Sequence, residues 1–201
     1  MEKNSEIGEL TLLEGPMCAG KSDELLRKCK RHEIAGRKVL YVNSTLNVRD
    51  KDTISTHEGK NKSAKITYKL MDIMKEMLNF DVIGIDEGQF FPDIFEACMK
   101  LDDAGKIVIV ATLSANYFGE PFKEIVRLEP FCVVKRLTAI CTFDGNGKIC
   151  GRSATLSHYT GEKEKEYKTI IGGTEKFIPL CRKHWKQLNH LNLPYSLVHL
   201  L

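Results

Sequence analysis

Eight residues, Gly15-Pro-Met-Cys-Ala-Gly-Lys21-Ser22, constrain this chain more than any other feature. Their pattern, G-x-x-x-x-G-K-S, is that of a phosphate-binding loop, and such a loop works in one setting, after a buried strand and before a helix. Both flanks are present. The apolar run Leu10-Thr-Leu-Leu13 stops at Gly15-Pro16, as a buried strand entering a tight loop would. Beyond Lys21, the residues Leu25, Leu26, Cys29, Ile34 and Ala35 recur at helical spacing until Gly36 offers a stop. In that setting the loop of Gly15, Pro16, Met17, Cys18, Ala19 and Gly20 turns backbone N–H groups toward phosphate oxygens. Lys21 reaches the terminal phosphates, and the Ser22 hydroxyl can ligate Mg²⁺. The expectation is a bound nucleoside triphosphate with magnesium.

The remaining apolar segments extend this start into a fold. Val39 to Val42, Val82 to Ile85 and Ile107 to Ala111 read as buried parallel strands. Ile94 to Leu101 has helical spacing after Phe91-Pro92, with Pro92 suited to a first turn, and Ile73, Met74 and Met77 suggest a shorter helix. Strands alternating with helices predict an α/β fold, a P-loop, mostly parallel sheet flanked by helices. At 201 residues and 42% apolar, the chain has room for that domain and a small appendage. From about Thr138 glycines cluster and metal-ligand residue types accumulate, so the division expected is 1–137, a nucleotide-binding domain, and 138–201, a small zinc-binding domain with a tail. The run Glu162 to Lys168 reads as a loop rather than a helix.

Charge excludes some partners. Thirty Lys and Arg against 27 Asp and Glu leave +3, with no block of five like charges, which argues against a nucleic-acid surface. The polar start Met1 to Glu6 has no apolar signal region, and no run of 18 apolar residues follows, so a soluble cytoplasmic protein without a membrane span is expected. Seven cysteines in such a chain point to metal binding by a subset rather than to a disulfide framework.

Two further constellations carry chemistry. Ile83-Gly-Ile-Asp86-Glu87-Gly sets adjacent carboxylates just past a strand end, where P-loop proteins present their magnesium ligands. Asp86 is then the metal residue, and Glu87, beside it, can turn toward the nucleophile as general base. Alone, Asp-Glu-Gly would be no more than a turn; beside a phosphate loop it is more. Cys181-Arg-Lys-His184 has the spacing of a zinc half-site. Its partner half is either Cys141 with Asp144 or Cys141 with Cys150, the latter drawn together by a hairpin at Asp144-Gly-Asn-Gly147. Thiolate is the commoner structural ligand, which favours Cys141, Cys150, Cys181 and His184.

Taken in order, these segments resemble the type II thymidine kinase family. The resemblance rests on Gly15 to Ser22, Thr56-His57-Glu58, Ile83 to Asp93, Ile107 to Leu113 with Pro121-Phe122, Val134 to Cys141, and Ile171-Gly-Gly173 ahead of Cys181, and it runs from about Ile7 to Trp185. It implies a P-loop core with a zinc-held lasso over the nucleoside, and transfer of the ATP γ-phosphate to the 5′-hydroxyl of thymidine. By that resemblance Glu87 accepts the hydroxyl proton, Asp86 and Ser22 serve magnesium, and Lys21 serves the phosphates. Asn47 and Gln89 lie on the nucleotide side, and Arg49 stabilises charge on the transferring group. Met17, Phe90, Leu113 and Tyr117 enclose base and sugar. Ser157, Lys168, Thr169, Ile170, Ile171, Gly172 and Phe177 belong to the lasso, with Phe177 where the family usually has tyrosine. The register after Cys150 again favours Cys150 over Asp144, and His184 replaces the more frequent cysteine. A homo-oligomer, dimer or tetramer, is the family's expectation. The rival reading is a P-loop ATPase acting on nucleic acid, with Glu87 activating water.

Overall fold

Every apolar run read as a buried strand is a strand, and its alternate residues feed two different cores. A computed structural model describes residues 8–47, 53–55, 61–145, 147–161 and 176–191. These fall into two compact units. One takes the described residues within Met1–Glu14, Gly20–Thr112 and Phe122–Arg136; the other takes those within Gly15–Ala19, Leu113–Pro121 and Leu137–Leu201.

The first unit is a parallel α/β sheet. In chain order it contains β1 (Glu9–Gly15), α1 (Lys21–Ile34), β2 (Val39–Ser44), the hairpin β3 (Thr53–Ser55) and β4 (Asn61–Ser63), and β5 (Lys65–Thr67). There follow α2 (Met74–Met77), β6 (Val82–Ile85), α3 (Ile94–Asp103), β7 (Ile107–Leu113), α4 (Lys123–Leu128) and β8 (Val133–Arg136). The six-stranded sheet has the order β5-β2-β6-β7-β1-β8. Val39 pairs with Val82, Val82 with Ile107 and Thr11 with Val133, all in parallel. Leu12, Ile83, Ile85, Val108 and Val110 enter one apolar cluster with Ile94, Leu101, Ile125 and Leu128 of α3 and α4. Leu13, Val82, Ile109 and Ala111 enter the other with Leu25 and Cys29 of α1. Helices on both faces explain why these strands read as continuous apolar runs.

Two details set the carboxyl edge of the sheet, where open α/β sheets bind ligands. α1 packs on β6 through Gly84, where a Cβ would lie 2.7 Å from Cys29 Sγ. α3 begins at Ile94, where the helical spacing begins, with Pro92 two residues ahead of it rather than in its first turn; between them the Asp93 carboxylate accepts from the N–H groups of Leu70 (3.1 Å) and Met71 (2.9 Å). Those two residues open a 3-10 helix, Leu70–Ile73, that runs into α2 where one short helix was expected.

The second unit is built from shorter pieces: β9 (Ala139–Ile140), β10 (Asp144–Gly145), β11 (Lys148–Ile149), β12 (Ser153–Ala154), β13 (Leu156–Tyr159), β14 (Phe177–Leu180) and α5 (Arg182–Leu191). They form antiparallel pairs, β10 with β11, β9 with β12 and β13 with β14. Ala139, Cys141, Phe143, Ala154, Leu180, Cys181 and Leu188 make its core. Among the described residues no helix is long and apolar enough to cross a membrane. The expected loop Glu162 to Lys168 lies outside the described residues.

Candidate active site

The phosphate loop takes its shape from glycine and from one strained cysteine. A Cβ on Gly15 would sit 2.8 Å from the Leu137 carbonyl oxygen and 3.0 Å from Ala19 Cβ. Cys18 has φ 62° and Gly20 φ 74°, so the loop twice enters the left-handed region, alternation that turns successive N–H groups to one side. The Met17 N–H donates to the buried Ser157 hydroxyl at 2.9 Å, which ties the loop to β13. Lys21 and Ser22 then open α1 directly after Gly20.

At the end of β6, Asp86 is buried and accepts from two sides. The Ser22 hydroxyl donates to its Oδ2 at 2.9 Å and the Glu87 N–H to its Oδ1 at 3.1 Å. Burial, and then the neighbouring Glu87 charge, push the Asp86 carboxyl well above the ordinary carboxylate range; the Ser22 and Glu87 hydrogen bonds act against that rise. A buried carboxylate beside a hydroxyl at a helix start is a donor set a hard divalent cation fits, since such a cation neutralises the charge that burial penalises. Glu87 has φ 52°, an uncommon conformation for a residue with a side chain. It caps a 3-10 turn, Gly88–Phe90, and its Oε2 accepts from the Gln89 amide at 2.5 Å. Gln89 Oε1 in turn accepts from the Thr112 hydroxyl at 3.0 Å. Phe90 is half-buried in the same turn. Asn47, buried past the end of β2, donates through its N–H to the Ser44 carbonyl and has its amide 3.5 Å from Asn43 Oδ1.

Met17, Tyr117 and Phe177 form one buried apolar cluster, with Leu113, Cys18 and Tyr159 packed against it. The Tyr159 ring lies 5.7 Å from Tyr117 and 5.4 Å from Phe177, centroid to centroid. Sequence reasoning missed Tyr159, the last residue of the short strand Leu156–Tyr159, whose residues do not alternate in polarity and so gave no strand signal. It also missed Thr112 and Trp185, whose indole N–H donates to the Ser157 carbonyl at 3.2 Å. Arg49, Lys168, Thr169, Ile170, Ile171 and Gly172 lie outside the described residues, as do Thr56 to Glu58.

The ligand atoms of Cys141, Cys150, Cys181 and His184 all lie within 4.8 Å of one another. The two β10–β11 residue pairs, with the Cys150 N–H on the Phe143 carbonyl and the Gly151 N–H on that of Cys141, fold the first two cysteines together. Cys150, not Asp144, completes the group. His184 Nδ1 is 3.4 Å from Cys141 Sγ and 3.6 Å from Cys181 Sγ. Tetrahedral zinc with Zn–S of about 2.3 Å and Zn–N of about 2.0 Å places such atoms about 3.5 Å apart, so the cluster is compatible with structural zinc. Burial, followed by Lys183 and Arg152, lowers the affinity of His184 for a proton and leaves the imidazole neutral for a metal. Burial raises Cys181, but N–H and thiol hydrogen bonds outweigh it and bring this thiol below its ordinary range, toward the thiolate a metal requires.

The family model for thymidine kinase matches residues 8–185. This chain belongs to the thymidine kinase family. Its curated relatives include the thymidine kinases of Vaccinia virus strain Ankara, 40% identical over 177 residues (88% of this chain, 96% of the relative), and Raccoon poxvirus, 42% over 178 residues with the same shares. The thymidine kinase of Variola virus is 39% identical over 177 residues, again 88% and 96%. The chain is thus a member of an enzyme family, and a thymidine kinase uses ATP as donor. The matched span runs from β1 through the phosphate loop to the Cys/His group.

Proposed function

We propose that this protein transfers the γ-phosphoryl group of ATP to the 5′-hydroxyl of thymidine, giving dTMP. The observation that carries the reading is the Ser22–Asp86 bond at 2.9 Å with Glu87 next in the chain, held in a left-handed turn. In the proposed reaction the loop from Gly15 to Gly20 and Lys21 hold the phosphates. Ser22 and Asp86 would hold Mg²⁺, which neutralises phosphate charge when bound. Glu87 accepts the proton of the 5′-hydroxyl as its oxygen attacks. Arg49 spreads charge on the transferring group, and Asn47 and Gln89 stand on the nucleotide side, on the strength of the resemblance.

For the nucleoside, the cluster of Met17, Leu113, Tyr117 and Phe177 supplies an apolar, aromatic wall suited to a pyrimidine. Phe90, Ser157, Lys168, Thr169, Ile170, Ile171 and Gly172 join it by resemblance. Deoxyuridine is accepted as well, since the missing methyl is worth about 1–3 kcal/mol in an apolar pocket. Cys141, Cys150, Cys181 and His184 hold one structural Zn²⁺. Residues 1–137 then carry the nucleotide chemistry and 138–201 the zinc-held lasso, in a cytoplasmic dimer or tetramer. The family matched is that of thymidine kinases, which leaves the nucleic-acid ATPase without support. Transfer of labelled γ-phosphate across thymidine, deoxycytidine, deoxyadenosine and deoxyguanosine tests the substrate. Thymidine alone of the four is expected to turn over; equal turnover of a purine nucleoside overturns the reading.

A further inference from the structure

Thr112, the penultimate residue of β7, is fully buried where apolar strand residues prevail: Val110 and Val108, two and four positions earlier, belong to the core between sheet and helices. Valine would fill the same volume there. A hydroxyl in such a place costs free energy unless it is bonded, and Thr112 Oγ1 donates to Gln89 Oε1 at 3.0 Å. The 3-10 turn that carries Gln89 is pressed onto β7. A Cβ on Gly88 would lie 2.5 Å from Val110 Cγ1 and 3.6 Å from Thr112 Cβ, so only glycine lets the turn approach this closely.

The polarity of the chain of bonds follows from its far end. A carboxylate only accepts, so the NH₂ end of the Gln89 amide must face Glu87, and its carbonyl must face Thr112. The hydroxyl that meets that carbonyl must then donate. We propose that Thr112 is a positioning residue for phosphoryl transfer: its hydroxyl fixes the Gln89 amide, and that amide fixes the Glu87 carboxylate. The inference rests on the reading of Glu87 as general base. Glu87 stands in a strained left-handed conformation on a turn, and a misplaced base loses rate steeply, which gives the outlying hydroxyl leverage over the reaction.

The test is steady-state thymidine kinase kinetics of Thr112→Val, Thr112→Ser, Gln89→Met, Glu87→Gln and the double variant Thr112→Val/Glu87→Gln, each with a thermal melt. Thr112→Val should lower kcat about tenfold, the scale of one hydrogen bond in a charged chain, with both KM values within about twofold of the parent. Thr112→Ser should recover more than about half of the parent kcat, because it restores the donor. Gln89→Met interrupts the chain at its middle and should match the valine variant in kcat, whether or not β7 tolerates valine. In the Glu87→Gln background, Thr112→Val should add less than about a twofold further loss, since the group it orients is gone. Parental kcat in Thr112→Val or in Gln89→Met, equal losses for serine and valine, or the full tenfold loss repeated in the double variant would each overturn the proposal. Undiminished turnover in Glu87→Gln would instead remove the base assignment, and absence of thymidine turnover in the parent would remove the proposed function; both are separate readings of the same experiment.

Discussion

The sheet unit and the Cys/His unit are held together by different means. In the first, strands of three to seven residues pair in one sheet, with apolar residues buried on both faces under helices. In the second, strands of two to four residues pair only in twos, and the buried core among the described residues is seven side chains, two of them cysteines of the metal-compatible group. Isolated strand pairs of that size are marginal in water, and small folds of this kind depend on a staple. The lesson is a division of risk. The groups proposed for proton and phosphate handling, Lys21, Ser22, Asp86 and Glu87, sit on the sheet unit, whereas the aromatic cluster of Met17, Tyr117 and Phe177 belongs to the unit that carries the Cys/His group.

The hardest blow to this contrast is removal of the metal. Structural zinc contributes about 10–16 kcal/mol of apparent folding free energy in small metal domains. Cys181→Ser, or exhaustive chelation, should therefore abolish hydrogen-exchange protection in β9 to β14 while β1, β6 and β7 stay protected, with thymidine turnover lost. Metal analysis finding well under one zinc per chain in protein whose small unit is still protected would break the comparison. Packing sharpens it next. Gly88→Ala drives a Cβ into Val110 and should destabilise the sheet unit by about 1–3 kcal/mol. Gly147→Ala, at φ 74° with open space around it, carries only the backbone term of about 1 kcal/mol. Equal melting shifts for the two would contradict the packing argument.

Acid–base linkage gives smaller effects. The Asp86 carboxyl is raised in the folded protein, to about 7 from 3.8, so the folded state binds this proton more tightly than the unfolded chain. Its contribution to stability is present in full below the lower value and fades as pH climbs toward the higher one. In magnesium-free buffer, melting temperature should fall over that window by more than it does in Asp86→Asn, and added magnesium should stabilise more at pH 8 than at pH 6. A pH-independent magnesium effect would contradict this. Smallest is Glu24, whose carboxyl is held down at about 2, first by its hydrogen bond to Arg27 and also by Lys135. Its stabilisation is present above the ordinary carboxylate value near 4.5 and disappears as pH falls toward 2. Because both cations are exposed, Glu24→Gln should cost no more than about 1 kcal/mol at pH 7 in denaturant unfolding, and nothing at pH 2.

The legible parts of the molecule were those with local cause. The phosphate loop announces itself because glycine, lysine and serine are needed at fixed spacing, and β2, β6 and β7 because burial on both faces writes an unbroken apolar run. Cys150 could be preferred to Asp144 because a hairpin turn is a short-range signal. β8 stayed hidden: Val133-Val-Lys-Arg136 is an edge strand, three of its four residues exposed, and its place beside β1 is a contact across more than a hundred residues. The role of Asp93 was hidden for a similar reason, since its partners are the N–H groups of Leu70 and its neighbour Met71, distant in sequence. Thr112 and Trp185 were not singled out because their hydrogen bonds reach distant positions, Gln89 and Ser157, and leave no periodicity behind.

Glu87, just past the end of β6, is proposed as the base through which thymidine is phosphorylated. Transfer of labelled γ-phosphate from ATP to thymidine by Glu87→Gln, compared with the parent at equal folded concentration, tests it most directly. The expected result is a loss of about 10²–10⁴-fold in kcat with an unchanged melting temperature; transfer at the parental rate would rule Glu87 out as the base.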